Sequence, residues 1–273
     1  MKLGNLAVRF ITVAPLVPLL ILAIEWSQPY AVWGIVFAAT FVALREYFAM
    51  ALPEPAARAE RRFGIAAGLA LSALAYWGGA ATVLVIPAIV IVPSLYFLFR
   101  FKDLETVTRR AALTTLGIVY AGLLLTYLAL LKRDAPHGGS WVLLTLMTAW
   151  FGDTGAYFAG RFLGKTKLYP AISPGKTRAG AVGGLVGSFV GSVLANLWFF
   201  PELGWVHGAI VTVAGGALGQ CGDLVESMLK RAFGVKDSGK ILPGHGGILD
   251  RVDAVLFIAP FTYVYAVLLW KRF

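Results

Sequence analysis

Five carboxylates, two serines and a group of cations crowd into residues 222–253 of an otherwise apolar chain. Asp223, Glu226, Ser227 and Lys230 fall at i, i+3, i+4 and i+7, so on a helix they share one face. Asp250 and Asp253 share a face of a following helix. Between them run Arg231, Lys236, Asp237, Ser238, Gly239 and Lys240, then Pro243-Gly244-His245-Gly246-Gly247. A carboxylate placed within a membrane-spanning helix costs about 2.5–3.5 kcal/mol, so it needs a partner, an ion or a polar cavity. Hard divalent cations take carboxylate oxygens, and Mg²⁺ commonly combines one or two carboxylates with substrate phosphates. Lysines and arginines hold the remaining phosphate charge, and glycines let backbone N–H groups approach it. Residues of these types at this spacing are equipped for phosphoryl or nucleotidyl transfer.

Ordinary interfacial salt bridges would account for any one of Lys230, Arg231 or Lys236, but not for four carboxylates on two helix faces. His245 reads equally well as a structural residue or a substrate contact. Three scattered histidines and the single Cys221 leave zinc without a ligand set. Cys221 lies among Gly215, Gly216, Gly219 and Gly222, where a small packing residue is expected rather than a nucleophile.

A second polar knot lies upstream. Asp153, Tyr157 and Arg161 fall at i, i+4 and i+8, so Asp153 either reaches the same cavity or pairs with Arg161 through packing. After it come Lys165, Lys167 and Ser173-Pro174-Gly175-Lys176-Thr177, whose hydroxyls and cations suit a triphosphate. This is no P-loop, because Pro170 stands where the first glycine of that motif is required.

The elements that must position these groups are membrane helices. Hydrophobic residues make up 59% of the 273 and charged residues only 14%, with a mean hydropathy of +0.77. That leaves too little polar surface for a water-soluble globule. Apolar runs of spanning length occur at about 7–25, 29–49, 63–79, 81–99, 111–131, 140–160, 179–199, 206–228 and 250–270. The expected fold is therefore all-α, a polytopic integral membrane protein of about nine transmembrane helices. Runs three and four are the least separated, with only Gly78, Gly79 and Ala80 between them.

With a cytoplasmic N-terminus, 20 of the 24 Lys and Arg residues fall in inside segments, leaving only Lys132, Arg133, Lys271 and Arg272 outside. Such a split supports nine spans and that orientation, and eight would scramble it. The basic N-terminal stretch reads as a retained first helix rather than a cleaved signal. The formal charge of +10 is clustered at loops, as beside anionic lipid, so nucleic acid is not an expected partner. Residues 1–135 read as scaffold helices, and 136–273 as a catalytic region with cytoplasmic loops 161–178 and 229–249. The small residues Gly180, Gly184, Ser188 and Ser192, and likewise Gly183, Gly187 and Gly191, are spaced for close helix packing.

The run Ser227-x-x-Lys230-Arg231-x₄-Lys236-Asp237-Ser238-Gly239-x-x-Leu242-Pro243-Gly244-His245-Gly246-Gly247-x-Leu249-Asp250-Arg251-x-Asp253 resembles the signature of the phosphatidate cytidylyltransferase (CDP-diacylglycerol synthase) family. Phe151-Gly152-Asp153 and Ser173-Pro174-Gly175-Lys176-Thr177 are similar to that family's segments as well. The resemblance covers about 150–255, and the first half is compatible with it but unspecific.

What it implies is transfer of CMP from CTP to phosphatidic acid, giving CDP-diacylglycerol and pyrophosphate, at a multi-pass bacterial inner (plasma) membrane with the active site facing the cytoplasm. It implies Mg²⁺ with a second cation such as K⁺, membrane lipids as surroundings, and a homodimer. By the same resemblance Asp223 and Asp250 would be the principal metal ligands, with Asp153 a further candidate. Lys230, Arg231, Lys236, Lys240, His245 and Arg251 would surround the phosphates or the lipid headgroup. Ser173, Lys176 and Thr177 would serve the nucleotide, and Ser227 and Asp237 would join the substrate contacts.

Two other readings use similar parts. A CTP-dependent lipid kinase would transfer the γ-phosphoryl group to an alcohol and release CDP. A secondary transporter would place charges on broken helices, but it predicts internal repeats, and the two halves differ in texture.

Overall fold

A computed structural model describes residues 16–100, 103–241 and 246–270. It is almost entirely helical. The helices are α1 (Leu16–Glu25), α2 (Tyr30–Ala51), α3 (Arg58–Trp77), α4 (Val85–Arg100), α5 (Leu104–Gly117), α6 (Thr126–Asp134), α7 (Gly138–Leu163), α8 (Arg178–Trp198), α9 (Trp205–Ala232) and α10 (Leu249–Val264). A π-helical segment, Ile118–Leu123, carries α5 toward α6, and another, Tyr265–Leu269, extends α10. The only strands among the described residues are β1 (Lys167–Tyr169) and β2 (Ser173–Thr177), an antiparallel pair pairing Lys167 with Thr177 and Tyr169 with Ser173.

Six helical stretches are long and apolar enough to cross a membrane: Tyr30–Ala51, Gly79–Arg100, Leu104–Asp134, Arg178–Trp198, Trp205–Ala232 and Leu249–Leu269. The expected run at 7–25 lies partly outside the described residues. The runs at 63–79 and 140–160 correspond to α3 and α7, whose apolar stretches are diluted by Arg58, Glu60, Arg61 and Arg62 in the one and Asp153 and Arg161 in the other. Runs three and four are separate helices. Gly79, at φ +50°, takes a left-handed conformation costly for other residues, and a 3₁₀ segment, Gly79–Leu84, leads into α4. Ile86, Val90, Ile91, Leu95 and Leu98 of α4 are all exposed, as suits a helix surrounded by lipid.

The chain divides into two compact units. One includes residues 33–126 and 237–251. Its centre is the buried row Leu44, Tyr47 and Phe48 of α2. Gly68 leaves room for Leu44, Gly64 for Phe48, and Gly117 for Tyr47, whose hydroxyl donates to the Leu113 carbonyl at 3.0 Å. Gly122 lies against the Gly68 backbone, and the hydroxyls of Ser72 and Thr126 are 2.7 Å apart. Small residues and a shared hydroxyl contact hold helices together where lipid gives no hydrophobic drive to associate.

The second unit includes 17–32, 127–236 and 252–270. Here α7 and α8 pack backbone to backbone. A Cβ on Gly155 would strike Gly183, one on Gly187 would strike the Phe151 carbonyl, and one on Gly152 would meet the Ser188 hydroxyl at 2.8 Å. That hydroxyl instead donates to the Thr148 carbonyl at 2.9 Å. The other edge of α8 meets α9, where Gly216 faces Ser188 and Gly208 faces Ser192 and Asn196. Both small-residue ladders are thus packing surfaces. At the far end Trp141, fully buried, meets Phe200 edge-on at 5.1 Å and Trp270 at 5.4 Å.

A leucine at Gly187 cannot fit without parting α7 from α8. Gly187→Leu is expected to cost about 1–3 kcal/mol, as over-packing does, and to lower the thermal unfolding midpoint in detergent. Gly34→Ala, where a Cβ meets nothing within 4 Å, is the control and should not lower it.

Candidate active site

The expected face of α9 forms as a helix and is internally paired. Ser227 donates to Asp223 Oδ1 at 3.3 Å, and Lys230 Nζ lies 2.6 Å from Glu226 Oε2. The Glu226 side chain is 1% exposed and that of Lys230 12%, so this i, i+4 pair is largely desolvated. Losing one partner of such a pair is costly, because the other charge stays buried.

Two further elements bring charge to α9 within the same unit. The hairpin carries Lys176, whose Nζ sits 2.6 Å from Asp223 Oδ2. Helix α10 carries Asp253, half-buried, with Asp223, Asp153 and Lys230 all within electrostatic reach. Helix α7 supplies that Asp153, which is itself exposed. Three carboxylates from three helices therefore share one neighbourhood with two lysines. The approach of α10 to α9 depends on missing side chains. A Cβ at Gly222 would lie 2.6 Å from the Asp253 carbonyl oxygen, and one at Gly219 would lie 2.8 Å from Ile258.

The hairpin is anchored where it meets α8. Thr177 is buried and its Oγ1 accepts from Gly180 N–H at 3.0 Å, so this hydroxyl, expected on the nucleotide side, is occupied as the α8 N-cap. Its neighbour Lys176 is left to reach Asp223, while Ser173 is half-buried at the start of β2. Arg161 donates to the Tyr157 hydroxyl at 2.7 Å, the partner observed for it in place of Asp153.

Asp250 has a different set of partners. Its carboxylate accepts from Ser238 N–H at 2.9 Å, Ser238 Oγ at 2.8 Å and Gly247 N–H at 2.8 Å. These bonds tie the two ends of the glycine-rich loop to the first turn of α10. Lys236, Asp237, Lys240 and Arg251 are exposed, and Arg231, also exposed, donates to the Val235 carbonyl at 3.1 Å. His245 lies outside the described residues.

Glu46 of α2 is a residue that the spacing of motifs does not reveal. It is buried, and its two oxygens accept from Leu249 N–H at 2.8 Å and Ile248 N–H at 3.2 Å. Gly239 and Gly247 are glycines for the same reason, since a Cβ on either would run into the Glu46 carboxylate. The available signal was a lone acid within an otherwise apolar span.

The acidic donors on α7, α9 and α10 are all oxygens, the kind that hard divalent cations take. Among the described residues no three His, Cys, Asp or Glu side chains are gathered so as to enclose an ion by themselves. The arrangement suits an ion whose remaining ligands come from phosphate and water, with lysines beside it to offset the charge of a polyphosphate.

Comparison with known proteins shows the family. The chain is 43% identical over 149 residues to a phosphatidate cytidylyltransferase of Bacillus subtilis, covering 55% of each chain. It is 44% identical over 150 residues to one of Staphylococcus saprophyticus, covering 55% of this chain and 56% of that one. The figures for one of Brucella suis are 41% over 149 residues and 55% of each. The matches span about half the length of these curated relatives. The profile of the cytidylyltransferase family, by contrast, matches residues 7–269. Nearly the whole chain fits that one pattern, and it belongs to the cytidylyltransferase family.

Proposed function

We infer that this protein is a phosphatidate cytidylyltransferase, a nucleotidyltransferase that moves CMP from CTP to phosphatidic acid. The observation that carries the reading is the meeting of Asp153, Asp223 and Asp253 from three apolar helices beside Lys176 and Lys230. Family membership and the names of the relatives support the choice of substrates.

The chemistry follows from charge. An oxygen of the lipid phosphate attacks the α-phosphorus of CTP, a new P–O bond forms, and the bond to the bridging oxygen breaks to release pyrophosphate. The attacking oxygen is already anionic, so no strong general base is needed. The obstacle is repulsion between two anions, and fixed positive charge relieves it. Lys176 and Lys230 face the carboxylates, and Arg231 and Lys236 of the same unit are exposed to phosphates arriving from water. Lys176 serves CTP from a short hairpin held in place by the Thr177 cap. Asp223, with Asp153 and Asp253 beside it, would hold Mg²⁺, while Asp250, the second ligand that the resemblance implies, is taken by Ser238 and Gly247. When bound, Mg²⁺ supplies a Lewis acid that draws charge from the phosphoryl oxygens. A second cation such as K⁺ belongs to the same proposal.

The split of Lys and Arg along the chain supports nine spans with the N-terminus and active site on the cytoplasmic face of a bacterial inner membrane, where CTP is available. Phosphatidic acid reaches the carboxylates sideways from the bilayer, and the enzyme works as a homodimer among membrane lipids. The scaffold region 1–135 and the catalytic region 136–273 divide the labour.

Purified protein given CTP, phosphatidic acid and Mg²⁺ should release pyrophosphate in step with lipid product, and none when any one is withheld. Release of CDP instead would establish a kinase. Asp223→Asn should lower kcat on the order of a hundredfold, the loss typical when an electrostatic element of a reaction centre is removed. Near-normal activity at limiting Mg²⁺ would disprove the metal assignment. In a Cys221→Ser background, an impermeant maleimide should label Arg133→Cys but not Lys165→Cys in intact spheroplasts. The reverse pattern would overturn the orientation.

A further inference from the structure

The geometry points to Glu46 as a positioning residue for the reaction, a carboxylate on a scaffold helix that sets the glycine-rich loop and the start of α10. This inference rests on the nucleotidyltransferase reading and extends it to a residue some two hundred positions from the signature.

The first N–H groups of any helix lack intrahelical partners, and they present partial positive charge. At α10 the N–H of Leu249, the first helical residue, and that of Ile248 before it are both taken by Glu46, at 2.8 and 3.2 Å. The cap therefore comes from another helix rather than from the local sequence. Asp250 completes the arrangement, binding Ser238 and Gly247 on either side of the loop. The Ser238 hydroxyl has a single proton, which the shorter contact, 2.8 Å against 3.5 Å, assigns to Asp250 rather than Glu46. Ser238 is buried between these two acids, and Gly239 and Gly247 leave the space that Glu46 fills.

A buried carboxylate of this kind is retained for what it holds. Moving Glu46 frees the start of α10, and with it the direction in which Arg251 projects and the path of the chain carrying Lys240. None of these groups touches Glu46, so the effect passes through the backbone. Gln is a poor substitute, because its amide would turn an N–H₂ toward a backbone N–H. Asp keeps the charge but is one methylene short.

The test measures kcat and KM for both substrates, per mole of folded enzyme, in the wild type, Glu46→Gln, Glu46→Asp, Ser238→Ala and the Glu46→Gln/Ser238→Ala pair. Glu46→Gln should lower kcat about 10- to 100-fold, as loss of a supporting shell typically does, with both KM values within about threefold. Glu46→Asp should recover part of that loss. The double variant should lose less than the product of the single losses, because both act on one loop. Gly239→Ala, whose methyl would meet only the Glu46 side chain and displace the carboxylate without removing it, should copy Glu46→Gln, and it carries the comparison should that variant not fold. A purely structural role would reduce the amount of folded protein and leave kcat per folded enzyme unchanged, which overturns the inference. Independent, fully multiplicative losses overturn it as well. An inactive wild type would instead remove the parent reading.

Discussion

Negative charge in an apolar surrounding is the constraint on which the rest of this protein depends. Each acid placed within a spanning helix costs about 2.5–3.5 kcal/mol, and among the acids in this chain's apolar helices are Glu46 on α2, Asp153 on α7, Asp223 and Glu226 on α9, and Asp253 on α10. Every one is met by a compensating group or gathered where ions can be. Glu46 caps α10, Glu226 takes Lys230, Asp223 takes Lys176, and Asp153 and Asp253 share the neighbourhood of Asp223. Glu46 is occupied by backbone N–H groups, whereas Asp223 and Glu226 are each paired with a lysine.

The packing serves that arrangement. Carboxylates on α9 and α10 share a neighbourhood because Gly219 and Gly222 remove the side chains that would keep the helices apart. Helix α7 is drawn to α8 by a seam of Gly152, Gly155, Gly183 and Gly187, and Gln220 of α9 donates across to the Ala181 carbonyl of α8 at 2.9 Å. A tight seam of glycines lacks the slack of long side chains, so charges fixed to it keep their spacing.

Much of the fold was legible because hydropathy and helix period are local properties. The runs read at 140–160, 179–199 and 206–228 became α7, α8 and α9, and the shared face of Asp223, Glu226, Ser227 and Lys230 followed from helical spacing alone. The hairpin within 161–178 was not foreseen, since two strands of three and five residues with Pro174 and Gly175 leave no alternating pattern. Partner choice was less legible than placement. Thr177 and Asp250 sit in the expected segments, yet both bind backbone N–H groups that no side-chain pattern reveals. Glu46 was hidden for the same reason, with partners two hundred residues away that are backbone atoms rather than recognisable residue types.

The central claim is that these acids serve nucleotidyl transfer and not phosphoryl transfer or transport. The most direct measurement follows ³²P from CTP into the lipid fraction, with the label at the α position in one sample and at the γ position in the other. The account predicts lipid-extractable label from α-labelled CTP only. Label from the γ position, or none from either, would contradict it.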